Sequence, residues 1–149
     1  MLVSLTLTAG AQTAAPTPAS PLAAKQAVDY RKAAFTLIGA DFKPLGAIMQ
    51  GRAPYQPEAA RKYASRLVVL AELLDEAFPE ISKTGDTRAR PEIWSDRADF
   101  EARLKDFHAH AAALTQLVQS PAVTPDAFKT AAFTVAQDCK SCHDHYRSE

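Results

Sequence analysis

Only two cysteines occur in this chain, and they stand three residues apart with a histidine directly behind, as Cys139-Lys-Ser-Cys142-His143. On a helix, a step of three residues rotates by roughly 300° and a step of four by roughly 400°, so Cys142 and His143 flank the direction of Cys139 one turn further on. Three side chains on one face suit a porphyrin lying against the helix, with thioether bonds from both sulfurs and the imidazole reaching the iron. C-x-x-C-H is the attachment signature of c-type haem. Three rivals use the same residues. A closed zinc site needs four protein ligands, and only Cys139, Cys142, His143 and His145 are close in sequence. A thioredoxin-like pair belongs at the start of a helix, where the positive end lowers a thiol pKa, whereas this motif ends the last helix. A disulfide closing so small a ring inside a helix would be strained and would stabilise little.

The motif must be held by helices, because apolar residues recur at alternating steps of three and four throughout the chain. A first stripe runs Val28, Arg31, Phe35, Ile38, Phe42, Leu45, Met49, and the Pro44 within it predicts a kink or split near 41–43. A second runs Ala60, Ala64, Leu67, Ala71, Leu74, Phe78, entered through Pro57 and stopped by Pro79. A third, expected to start at a Ser95 cap, runs Phe100, Leu104, Phe107, Ala111, Leu114, Val118. A fourth starts at a Thr124 cap and runs Phe128, Ala132, Val135, Cys139, Cys142, Tyr146, which puts both cysteines on the core-facing seam. No segment alternates with period two. Four helices of roughly 20 residues predict an all-α, antiparallel four-helix bundle. Arg31 is a charge on an apolar stripe, and a buried guanidinium without a partner costs several kcal/mol, so it demands an anion.

The 149 residues suffice for one domain with its own core. Formal net charge is zero, which excludes the basic surface of a nucleic-acid binder. The opening apolar run ends in Ala9-Gly10-Ala11, a small-x-small pattern read as a secretory signal over residues 1–11, although no Lys or Arg precedes it. Residues 12–20, rich in Pro, Ala and Thr, read as a flexible mature N-terminus, and residues 21–149 as the helical domain. Nothing after residue 12 approaches the ~18 consecutive apolar residues of a membrane span, so a periplasmic location is expected.

A haem motif at the end of a four-helix chain resembles cytochrome c prime, the bundle-type class II c-type cytochromes. The blocks VDYRKAAFTLIGADF, MQGRAPY, ARPEIWSD and CKSCHDHYR follow family order and span residues 28 to 147. The resemblance implies one haem c, attached through Cys139 and Cys142 with iron ligated by His143. It implies that Phe35 lies over the distal face, that Arg31 one turn earlier faces the propionates, and that Arg147, one turn beyond His143, is the basic residue beside the proximal imidazole. Trp94 is read as a packing residue at least as readily as a haem contact.

Position 35 sets the coordination. Relatives with Met there have a sixth, thioether ligand and carry electrons, whereas a phenyl ring offers no lone pair. The resemblance therefore implies five-coordinate, high-spin iron in an apolar pocket that admits small neutral diatomics, chiefly NO and CO, for NO buffering or detoxification. It implies a binding protein and not an enzyme, and a homodimer formed through the first two helices. The rival reading is a periplasmic electron-transfer cytochrome with an unidentified redox partner. Met49, fourteen residues from Phe35 and about 21 Å along a helix, cannot serve the same iron. His108, His110 and His145 read as flank or surface histidines.

Overall fold

The computed structural model describes residues 20–149. The expected leader, 1–11, and all but Ser20 of the expected N-terminal stretch lie outside the described residues. Helix α1 (Pro21–Met49) begins where the sequence signals it. The Ser20 side chain accepts the Ala23 N–H at 3.2 Å, and Pro21 occupies the first turn, where its missing donor costs nothing. Pro44 neither splits nor ends α1, which is assigned as one 29-residue helix. Its exit turns through Gly51 at φ 71°, in the left-handed region that glycine reaches without penalty.

Helix α2 (Pro57–Glu72) is shorter than its stripe. Residues 73–78 continue as turns, yet Leu74, Ala77 and Phe78 remain buried. A 3-10 turn (Glu80–Lys83) and a loop through Gly85 follow. The third stripe begins differently from expectation. Glu92–Ser95 form a one-turn helix, α3, and α4 (Arg97–Gln119) starts after Asp96, so Ser95 ends one element and does not cap the next. Helix α5 (Pro125–Tyr146) starts as read, with the Thr124 side chain accepting the Ala127 N–H at 3.2 Å.

The four long helices pack in a ring, with α1 against α2 and α5, and α4 against α2 and α5. This is the expected antiparallel four-helix bundle. Its centre is filled by fully buried Leu45, Leu67, Leu114, Val118, Phe128 and Val135, one or more from each long helix. Each such side chain contributes roughly 1.5–3 kcal/mol through removal of apolar surface from water. Met49 packs half-buried at the edge of this core. Among the described residues no helix is long and apolar enough to cross a membrane.

Candidate functional site

Cys139 and Cys142 are both free thiols on α5, so the two are not bridged. Each is half-buried, at the rim of the core and not inside it as the stripe implied. Around Cys142 the neighbouring face of α4 is polar. Arg103 donates to the Ser141 hydroxyl and to the Asp99 carboxylate, and the buried Tyr146 hydroxyl donates to Asp99. Burial pushes the Cys139 thiol up to about 11, with the Asp138 charge adding to it, and burial also raises Cys142. Both sulfurs are therefore thiols, not thiolates, at neutral pH.

His143 is exposed beside them on the same helix. Partial desolvation lowers its pKa, and the charges of Arg147 and Arg88 lower it further, so the imidazole is neutral and keeps a lone pair for a metal. Opposite it stands Phe35 of α1, with ring centroids 6.2 Å apart. The sequence stripe put Phe35 in the core. Instead Ala34 is buried at 2% exposure and Phe35 is 36% exposed, because three residues of helix place it about 60° away from Ile38, on the edge of the stripe. Its ring also meets Phe78 edge-on at 6.2 Å, and Phe78 packs on Phe100 at 4.7 Å.

Arg31 is buried, and the anion it was expected to need is replaced by neutral oxygens. Nη1 donates to the Ala77 carbonyl at 3.1 Å and the Ser82 hydroxyl at 2.7 Å, and Nη2 to the Ser82 carbonyl at 3.1 Å and the Thr87 hydroxyl at 2.7 Å. Its guanidinium also lies 5.0 Å from the Phe78 ring centre. Trp94 packs here too, its indole N–H donating to the Phe78 carbonyl at 3.1 Å. Ser82 sits in the 3-10 turn and Thr87 in the loop after it, neither on a helical stripe, which is why spacing could not find them.

Arg147 is not on the helix as the one-turn spacing implied. α5 ends at Tyr146, and Arg147 is extended (φ −123°, ψ 130°) and paired antiparallel with Ala89. The remaining histidines keep to the flanks. His110 Nδ1 is 2.8 Å from an Asp138 carboxylate oxygen, His108 lies 3.3 Å from Asp75, and His145 Nδ1 contacts the Ser141 carbonyl at 2.9 Å.

These residues fit an attached macrocycle better than a metal held by protein alone. Among the described residues no three His, Cys, Asp or Glu side chains converge on a metal-sized point. What α1 and α5 bring together is a neutral imidazole and an exposed aromatic ring 6.2 Å apart, with two free thiols on the same helix as the imidazole, a set of groups that suits one iron ligand and two covalent anchors.

Comparisons with known proteins agree. The sequence profile of the family described as Cytochrome C' matches residues 26–147. A cytochrome c' of Rubrivivax gelatinosus is 35% identical over 126 residues, covering 83% of this chain and 95% of the relative. The solved cytochrome c prime from Shewanella frigidimarina superposes with a TM-score of 0.79 at 33% identity, over 85% of this chain and 97% of that one. A nitric oxide complex of a mutant cytochrome c prime from Alcaligenes xylosoxidans superposes with a TM-score of 0.76 at 32% identity, over 85% and 96%.

Proposed function

Because this chain belongs to the cytochrome c' family and is therefore a haem c protein, we propose that it is a periplasmic binding protein for small neutral diatomics, chiefly NO and CO, acting in NO buffering or detoxification and not as an enzyme. One observation carries the reading: the exposed Phe35 ring faces the His143 imidazole at 6.2 Å, and phenyl has no lone pair to give. The related structure solved with nitric oxide supports it.

Bound haem supplies an iron that accepts one imidazole nitrogen and leaves a position for a diatomic. Cys139 and Cys142 are the residues that would hold it, through thioether bonds to its vinyl groups. His143 gives the proximal nitrogen, and Arg147 places positive charge beside that imidazole. Phe35, backed by Phe78, excludes water and anions from the distal side, so that only a ligand with little hydration to lose enters cheaply. Arg31, locked by four bonds to the 77–87 segment, would set its positive charge on the side where the propionates are expected.

Two features support periplasmic residence: attachment to C-x-x-C-H takes place after export, and residues 1–11 read as a leader. The mature chain then comprises a short N-terminal stretch and the cytochrome domain at 21–149. A homodimer through α1 and α2 accounts for Leu37 and Val69, 50% and 63% exposed on those helices.

The absorption spectrum of the purified ferrous protein tests the function directly. A five-coordinate, high-spin spectrum that shifts on addition of CO or NO is the expected result. A six-coordinate, low-spin spectrum unmoved by CO would establish the rival electron-transfer cytochrome in its place.

A further inference from the structure

Arg31 and Phe35 stand one turn apart on α1, on the distal side of the proposed haem, while Arg147 stands on the proximal side. Hydrogen bonds from Arg31 through the loop residue Thr87 reach the 88–90 segment, whose backbone is in turn bonded to the residues on either side of Arg147. The Thr87 hydroxyl accepts from Arg31 Nη2 at 2.7 Å and from the Ala89 backbone N–H at 3.1 Å, using both of its lone-pair directions. Ala89 is the residue paired antiparallel with Arg147. That pairing is closed on either side, where the Arg90 N–H donates to the Tyr146 carbonyl and the Ser148 N–H to the Arg88 carbonyl, each at 2.9 Å. Arg88 Nε adds a bond to the Ser148 carbonyl at 3.0 Å. The Arg147 N–H itself donates to the His143 carbonyl at 3.2 Å.

We propose that Thr87 is a positioning residue for the proximal side, a latch through which buried Arg31 fixes the 87–90 segment and thereby holds Arg147 against His143. Residues 87–90 contain no helical turn to hold them, so their placement comes from these bonds. Thr87 is half-buried, and a side chain without a hydroxyl oxygen would leave the Ala89 N–H and one Arg31 N–H without their acceptor. The 87–90 segment would then loosen and carry Arg147 away from the imidazole. A cation beside a metal-bound imidazole withdraws electron density from it, so its departure makes the ligand more basic and strengthens the iron–nitrogen bond. The inference rests on the haem reading above.

The test is the iron–histidine stretching frequency of the ferrous holoprotein by resonance Raman, with backbone amide exchange measured on the same samples. Thr87→Val is expected to raise the frequency and to speed exchange of the Arg90 and Ser148 amides. Arg147→Gln should raise the frequency in the same direction, and the double variant should add nothing. Thr87→Ser, which restores the oxygen, should return both readouts to wild type. If Thr87→Val does not fold, Thr87→Ala, which introduces no new bulk, must move the frequency upward in its place. Covalent haem in the wild type with an unshifted frequency in the folded variant would overturn the latch alone. A wild-type protein without covalent haem would overturn the haem reading and the latch with it.

Discussion

In the proposed function the chemistry turns on Phe35, and its partly exposed place opposite His143 makes two substitutions informative. Phe35→Met puts a flexible thioether where a ring could only block, and it is expected to convert high-spin iron toward a six-coordinate, low-spin state visible in the absorption spectrum. Phe35→Ala should speed CO association by about tenfold or more, equivalent to ~1.4 kcal/mol of ring displacement removed from the barrier. Stopped-flow CO binding checks this, and equal rates in wild type and Phe35→Ala would sink the gate. The anchors are tested separately. Replacing both Cys139 and Cys142 by Ala should abolish haem staining on a denaturing gel, since only thioether bonds survive unfolding.

Among the elements, the junction of α4 with the end of α5 carries the clearest pH dependence. Tyr146 is buried, and desolvation together with its hydrogen bond to Asp99 pushes its phenol up to about 12. The folded chain therefore favours the protonated phenol more than the unfolded chain does. Its contribution is complete below about pH 10, the ordinary tyrosine value, and is lost as pH rises through about 12. Thermal melts between these limits should fall more steeply for wild type than for Tyr146→Phe, which lacks the titrating group. At the other side of the site, Arg31 ties α1 to the 77–87 loop with four hydrogen bonds. Arg31→Met should cost on the order of 3 kcal/mol in denaturant unfolding, because buried carbonyls of Ala77 and Ser82 lose their donor.

For the molecule as a whole, the outer faces of α1 and α2 are the place to look for assembly. Tyr30 and Leu37 lie seven residues apart, hence on nearly the same side of α1, and both are exposed, as is Val69 on α2. Burial of such a patch in a second copy removes apolar area from water, and one charge inserted there reverses the gain. Leu37→Glu is expected to turn the proposed dimer into a monomer by sedimentation without disturbing the haem spectrum. A wild-type protein that sediments as a monomer at every concentration would remove the dimer.

The motif, the four long helices and the core of α2, α4 and α5 were legible in the amino-acid order, because each depends on local periodicity, whereas the one-turn α3 was not. Cys139, Cys142 and His143 share a face by helix geometry alone, and Ala60, Ala64, Leu67, Phe107, Leu114, Phe128 and Val135 are buried as their spacing requires. Family resemblance, carried by blocks from 28 to 147, is what proposes a distal role for Phe35. Other features depended on contacts between segments far apart in the chain, which no period records. The partners of Arg31 are 46 to 56 residues away, in a loop whose shape is set by the helices it crosses. Arg147 leaves α5 because residues 88–90 offer it an antiparallel pairing that a helical continuation would forgo. Phe35 lies at the rim because the side of α1 pressed on its neighbours is the one carrying Ala34 and Ile38, and spacing alone does not say which edge of a stripe the neighbours cover.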